Sequence, residues 1–171
     1  MPTTDQAPVK STGLSRGVAG LGTLPSFALP KAGGGEVRSW DYKSRQPLVL
    51  WLTGPEVSRQ ALEEAVAHEP ALQDEGAELL IVVRGPLEQA EQVQAEAGLQ
   101  GPVLADIDGH VYARLEAHQP TLFVVDRSGT IAWRAPADGD RPDFTEALSW
   151  LAYLNILEPE CGTCVPAWPV E

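Results

Sequence analysis

A mixed α/β fold, one central sheet with helices on both faces, is predicted by three features of the chain. Leu48-Val49-Leu50-Trp51-Leu52 and Leu79-Leu80-Ile81-Val82-Val83 are continuous apolar runs of strand length, the pattern of strands buried on both faces. Each is followed by a turn signal and an amphipathic stretch, and strands alternating with helices pair in parallel through right-handed crossovers. Thr121-Leu122-Phe123-Val124-Val125, a turn at Asp126-Arg127-Ser128-Gly129 and Thr130-Ile131-Ala132-Trp133 then form a β-hairpin, which adds antiparallel strands at one side. The 171 residues suit a single domain with a full core.

Residues 1–22 mix Thr, Ser, Gly and Ala with Lys10 and Arg16 and read as a mobile tail. They contain no apolar core of the signal-peptide kind, and no segment elsewhere is long enough to span a bilayer, so a cytoplasmic protein is expected. Leu24 to Pro30 is a proline-bounded extended segment, and Gly33-Gly34-Gly35 turns it into Glu36 to Trp40, whose alternation suits a half-exposed strand. Thr53-Gly54-Pro55 breaks the first buried run. A helix is expected from Val57 to Glu69, striped by Ala61, Leu62, Ala65 and Val66, with Leu72 continuing the stripe past Pro70.

Gly76 closes that region. Arg84-Gly85-Pro86 opens a second helix through Ala97, which Gly98 stops as a left-handed cap. Pro102 to Ala105 is a third, shorter strand, and Asp106-Ile107-Asp108-Gly109 leads into one or two helical turns around Val111 to Leu115. The last helix is expected from Phe144 to Leu157, between Pro142 and Pro159. That leaves a domain over 23–158 and a C-terminal tail over 159–171. Phe144, Ala147, Leu148, Leu151, Leu154 and Asn155 form the helix's core stripe. Trp150, Tyr153, Ile156 and Leu157 fall on a second surface, which a homodimer or the folded-back tail is expected to cover. By their apolar surroundings in the sequence Trp51, Trp133 and Trp150 read as core, although the angular position of Trp150 puts it on that second surface.

Asp plus Glu number 24 against 12 Lys plus Arg, a formal net charge of -12. Nucleic acid and anionic membrane surfaces would repel such a chain, so neither is expected as a partner. Carboxylate pairs such as Glu63-Glu64 or Glu88 and Glu91 lie on polar helix faces and read as solvated surface. The only two cysteines, Cys161 and Cys164, are too close together to staple a domain of this size, which excludes a disulfide scaffold.

Three stretches resemble the peroxiredoxin (AhpC/TSA, redoxin) branch of the thioredoxin superfamily. They are Pro25-Ser26-Phe27-Ala28-Leu29-Pro30, Trp40-Asp41-Tyr42 before Pro47-Leu48-Val49-Leu50, and Gln119-Pro120 with the hairpin through Ile131. The resemblance covers residues 23–133 and implies a thioredoxin-like three-layer fold. It also implies a cis proline before the hairpin, at Pro120, beside the reactive site; X-Pro is the common route to a cis peptide. Members of that family carry the attacking cysteine where the buried strand meets the first helix, whose N-terminus lowers the thiol pKa. Here the junction reads Thr53-Gly54-Pro55-Glu56-Val57-Ser58-Arg59, without cysteine. Gly54, Pro55 and Ser58 mark the degenerate site, and the Ser58 hydroxyl, not ionised near neutrality, does not replace a thiolate.

Cys161-Gly162-Thr163-Cys164 is the recognisable redox motif, able to cycle between dithiol and disulfide over a very short loop. It follows a helix C-terminus, where the dipole and Glu158 and Glu160 disfavour thiolate. The expected catalytic residues are therefore Cys161 and Cys164, with Pro120 beside them if the tail folds back, and a protein thiol or disulfide as partner. The alternatives are a non-catalytic interaction module, or a structural metal shared between the CxxC motifs of two chains. No cofactor or metal site is expected within the chain. His68, His110 and His118 show no ligand spacing, and Asp106 to Gly109 echoes a calcium loop whose twelfth position is Ala117 rather than Glu. Purified protein should accordingly consume hydrogen peroxide no faster than free thiols do; enzyme-like turnover that survives conversion of both cysteines to serine would contradict this.

Overall fold

The computed structural model describes residues 21–163, with side chains as far as residue 157. Its main sheet has five strands: β3 (Leu48–Leu52), β4 (Glu78–Val83), β5 (Val103–Ala105), β6 (Thr121–Val125) and β7 (Ile131–Pro136). The order across the sheet is β5-β4-β3-β6-β7. β3, β4 and β5 run parallel, whereas β6 is antiparallel to β3 and β7 antiparallel to β6. The two predicted apolar runs are adjacent central strands, and the predicted hairpin is the antiparallel side. A separate two-stranded ribbon pairs β1 (Ala28–Pro30) with β2 (Glu36–Arg38) around the glycine turn.

Alternation along the strands divides the core into two layers. Val49, Trp51, Leu79, Ile81, Val83, Leu122 and Val124 face α1 (Arg59–Asp74), α2 (Leu87–Ala97) and α4 (Phe144–Thr163). Leu48, Leu50, Leu52, Leu80, Val82, Phe123 and Val125 face α3 (His110–Arg114) and the β1–β2 ribbon, through Val111, Tyr112, Leu115, Phe27 and Leu29. Helices therefore cover both faces of a mixed sheet, as predicted.

The boundaries differ where proline was expected to stop a helix. α1 passes through Pro70 to Asp74. The hydrogen bond lost at Pro70 is the one to the Val66 carbonyl, on the partly exposed face of the helix, where water can replace it. Leu72, on the far side of the proline, is fully buried and anchors the extra turn. α4 likewise continues past Pro159 to Thr163, so Cys161 belongs to its last turn rather than to a tail. At the other end, β2 is shorter than predicted because Ser39–Asp41 forms a single tight turn. Its Ser39 hydroxyl accepts from the Phe27 N–H at 2.9 Å and donates to the Pro25 carbonyl. Ahead of Thr23, Gly22 accepts a hydrogen bond from the Ile131 N–H, and Leu21 packs on the second core layer. Residues 1–20, and Cys164 with the rest of the tail, lie outside the described residues.

Gly98 caps α2 in the left-handed region, φ 66°, as predicted. Glu69, only 6% exposed, turns its carboxylate onto the next loop and accepts from the N–H groups of Gln100 (3.0 Å) and Gly101 (2.9 Å). A side chain at Gly101 would meet the Leu79 carbonyl at 2.4 Å, so glycine is required for that approach.

On α4 the second surface is narrower than the sequence suggested. Trp150 is 5% exposed and belongs to the core, edge-on to Tyr153, because the stripe facing α1 and the sheet is wide. Tyr153, Ile156 and Leu157 remain exposed. Trp150→Ser should thus cost about 3–5 kcal/mol in urea unfolding, whereas Ile156→Ser should stay within about 0.5 kcal/mol. Equal losses for the two would contradict the placement. Glu69→Ala should cost about 1–3 kcal/mol by leaving loop N–H groups unpaired; unchanged stability would show that those hydrogen bonds are dispensable.

Candidate functional site

β3 ends at the C-terminal edge of the parallel strands, where ligand clefts of open α/β sheets form. Thr53, 1% exposed, continues the ladder by donating its N–H to the Val82 carbonyl at 3.0 Å. The chain then turns at Gly54 and Pro55 and starts α1. A Cβ on Gly54 would stand 3.1 Å from Pro120 Cγ, so the strand end and the start of β6 touch here, and any larger residue would push them apart. Thr53, Gly54, Arg84, Tyr112, His118 and Pro120 are among the residues lining a cleft of about 470 Å³.

The cleft floor is a hydrogen-bonded knot. The Tyr112 hydroxyl reaches the carbonyls of Thr53 at 2.6 Å and Val82 at 2.8 Å. The Thr53 hydroxyl lies 3.2 Å from the carbonyls of Val82 and Gly54. Burial pushes the Tyr112 phenol well above its ordinary range; the adjacent Asp106 carboxylate adds to the rise, while the hydrogen bond at Thr53 and the Arg84 cation oppose it. The Arg84 guanidinium lies over the Tyr112 ring at 6.0 Å.

The predicted site residues are only partly brought together. Gly54, Pro55 and Pro120 share the cleft. Ser58 does not line it, because it is the N-cap of α1: its hydroxyl accepts from the Ala61 N–H at 3.1 Å, and its own N–H donates to the Asp140 carboxylate at 3.0 Å. Hydrogen bonding from Ser58 holds the Asp140 carboxyl below the usual range. Pro120 is corrected in one respect. No cis peptide bond occurs among the described residues, so the Gln119–Pro120 bond is trans. Trans is the favoured form by about 0.5–1 kcal/mol, and the Pro120 carbonyl is engaged by the Ala137 N–H at 2.8 Å, which extends the β6–β7 ladder instead of offering an open backbone edge.

Cys161 is carried away from this cleft. The Asn155 amide donates to the carbonyl and carboxylate of Glu75, the residue that closes α1 just before β4 begins. That is the N-terminal edge of the parallel strands, a helix length of about 24 Å from the Ser58 end of α1. The backbone of α4 runs six residues beyond Asn155 to reach Cys161. Cys164 lies outside the described residues.

Sequence spacing did not reveal one grouping. Asp106, Asp108 and His110 converge beside the cleft: His110 Nδ1 is 2.5 Å from Asp108 Oδ1 and 3.2 Å from Asp106 Oδ1. Hydrogen bonding from His110 lowers the Asp108 carboxyl. The signal was present as alternate residues around a glycine, but only the left-handed conformation of Gly109, φ 74°, folds them together. His68 is structural, stacked on Phe144 with its ring nitrogen 2.8 Å from the Glu64 carbonyl.

Residues 22–134 match the AhpC/TSA family, and the chain belongs to that family. No curated protein matches it in sequence. The mitochondrial 2-Cys peroxiredoxin of Plasmodium falciparum has a similar structure, with TM-score 0.73 and 12% identity over 82% of this chain and 96% of that one. Mycobacterium tuberculosis AhpC gives 0.67 and 18% over 82% and 95%. A secreted disulfide oxidoreductase of M. tuberculosis, homologous to E. coli DsbE, gives 0.61 and 18% over 75% and 96%. At these identities the likeness establishes a thioredoxin-like fold. No described helix is long and apolar enough to cross a membrane.

Because the folded state holds the Tyr112 proton more tightly than the unfolded chain does, the stabilisation is complete below the ordinary tyrosine pKa. It is lost as pH rises above about 10. Tyr112→Phe should flatten that alkaline fall in a pH series of denaturant melts, while costing about 1 kcal/mol at neutral pH. An alkaline limb of unchanged steepness would assign the pH dependence elsewhere.

Proposed function

We propose that this chain exchanges thiols and disulfides with a protein partner through Cys161 and Cys164, the first of them carried by α4 toward the sheet edge opposite the Gly54–Pro120 cleft. One observation carries the reading. The only two cysteines of the sequence are three positions apart, Cys161 lies in the last turn of α4, and none of the described residues lining the Gly54–Pro120 cleft is a cysteine.

Two further features support a macromolecular partner. Tyr153, Ile156 and Leu157 are 46%, 63% and 37% exposed on the helix that carries Cys161, an apolar surface suited to a protein or to a second copy of this chain. A short CxxC loop also lets the second thiol resolve a mixed disulfide formed by the first. The disulfide oxidoreductase named above offers a fold precedent for disulfide exchange.

The helix end sets the direction of exchange. A helix C-terminus, with Glu158 and Glu160 beside Cys161 in the sequence, does not favour a thiolate, so the reduced form gains nothing of the kind that makes a strong oxidant. The pair is therefore a reductant of partner disulfides. Glutathione redox buffers with alkylation trapping should give one reversible two-electron couple, with a midpoint within about −220 to −320 mV. The couple should vanish in the Cys161→Ser variant. Thiols that stay free across the whole range would instead favour a non-catalytic interaction module, and thiols unmasked only by a chelator would favour a metal shared between chains.

A further inference from the structure

Asp106 follows β5 directly and is fully buried. Its Oδ2 accepts from the N–H groups of Val111 (3.0 Å) and Tyr112 (3.2 Å), which fixes the carboxylate at the start of α3. Its Oδ1 receives no hydrogen bond. That oxygen faces His110 Nδ1 at 3.2 Å, and the same nitrogen is 2.5 Å from Asp108 Oδ1. A ring nitrogen carries at most one proton. The shorter contact takes it, and a buried carboxylate oxygen is left facing the cluster without a donor, an arrangement that costs free energy unless something else pairs with it. One ligand atom from each of the three residues lies within 4.8 Å of the others. The side chains of Asp108 and His110 are 74% and 39% exposed, so the cluster opens to solvent on one side.

We propose that Asp106, Asp108 and His110 form a binding site for a first-row divalent cation, Zn²⁺ above all, through Asp106 Oδ1, Asp108 Oδ1 and His110 Nδ1. The cation takes the place of the ring proton held between His110 and Asp108 and gives the buried oxygen its missing partner. Two carboxylates alone would suit calcium or magnesium; the imidazole shifts the preference to transition metals, among which zinc is held well by such nitrogen and oxygen donors. Three protein ligands with the remaining positions left to water make an open site rather than a closed structural one. Arg84 stands against the same loop, with Nε 3.0 Å from where a Cβ on Gly109 would be, and its charge moderates the affinity. The Tyr112 N–H rests on Asp106 and the Tyr112 hydroxyl on the cleft floor, so an occupied site stiffens α3 against the cleft. None of this depends on the cysteines.

The test uses the full chain with Cys161→Ser and Cys164→Ser, which removes thiolate ligands, stripped with chelator and titrated with Zn²⁺ by calorimetry. One saturable site per chain is expected, with the His110 ring signals shifting in NMR spectra while those of His68 and His118 stay in place. Asp108→Asn and His110→Gln, both at solvent-open positions, should each weaken binding by at least about tenfold, since even indirect partners of metal ligands have effects of that size. Absence of saturable uptake would overturn the proposal. So would affinity retained in either variant, or uptake of Ca²⁺ in preference to Zn²⁺.

Discussion

The Val82 carbonyl is the point at which the C-terminal edge of the sheet is tied together. It accepts from the Thr53 N–H and stands within hydrogen-bond distance of both the Thr53 and the Tyr112 hydroxyls. Through that oxygen the ends of β3 and β4 are joined to α3 on the opposite face. The knot is buried, so each hydroxyl proton must find a carbonyl and each carbonyl a proton. The position of Tyr112 then dictates that of Asp106, whose carboxylate caps the start of α3. The floor of the cleft, the placement of Arg84 over the Tyr112 ring and the convergence of Asp108 and His110 all follow from this arrangement. A thioredoxin-like architecture is thus retained around a strand–helix junction, Thr53 to Arg59, that carries no cysteine.

Most of the fold could be read from the chain because it rests on patterns that local physics enforces. Leu48 to Leu52 and Leu79 to Val83 are apolar at every position and became the central strands; Gly98 supplied the one left-handed residue that α2 needed to stop. The errors cluster where tertiary contacts outweigh local preference. Local preference ends a helix at Pro70, yet Leu72 buried beyond it stabilises the continuing helix more than one missing hydrogen bond costs. For Trp150 the apolar pattern points to the core and the angular position on α4 points away from it; the pattern wins, because a large side chain at the rim of a stripe reaches the core.

The site was less legible. The missing cysteine was plain from the sequence, since absence at a junction needs no geometry. The role of Ser58 was not: a serine at a strand–helix junction is equally a stand-in nucleophile or an N-cap, and its hydrogen bonds to Ala61 and Asp140 decide for the cap. The isomer of the bond before Pro120 lay beyond any sequence rule. So did the meeting of Asp106, Asp108 and His110, because neither helical nor strand periodicity brings three alternate residues to one point. A glycine at positive φ does.

The resulting picture divides the molecule between two edges of one sheet. The C-terminal edge holds the Gly54–Pro120 cleft, with no cysteine among its described lining residues, and the opposite edge receives the end of α4 with Cys161. The central claim is that exchange at the cysteine pair proceeds without the cleft. The direct measurement is the rate at which the reduced protein attacks a small aromatic disulfide, compared between the native chain and Pro120→Ala. A trans bond at that position lets alanine take the same backbone path. The account predicts rates equal within about twofold, whereas a fall of about tenfold or more, some 1.4 kcal/mol in the barrier, would mean that Pro120 takes part and that the two edges work as one site.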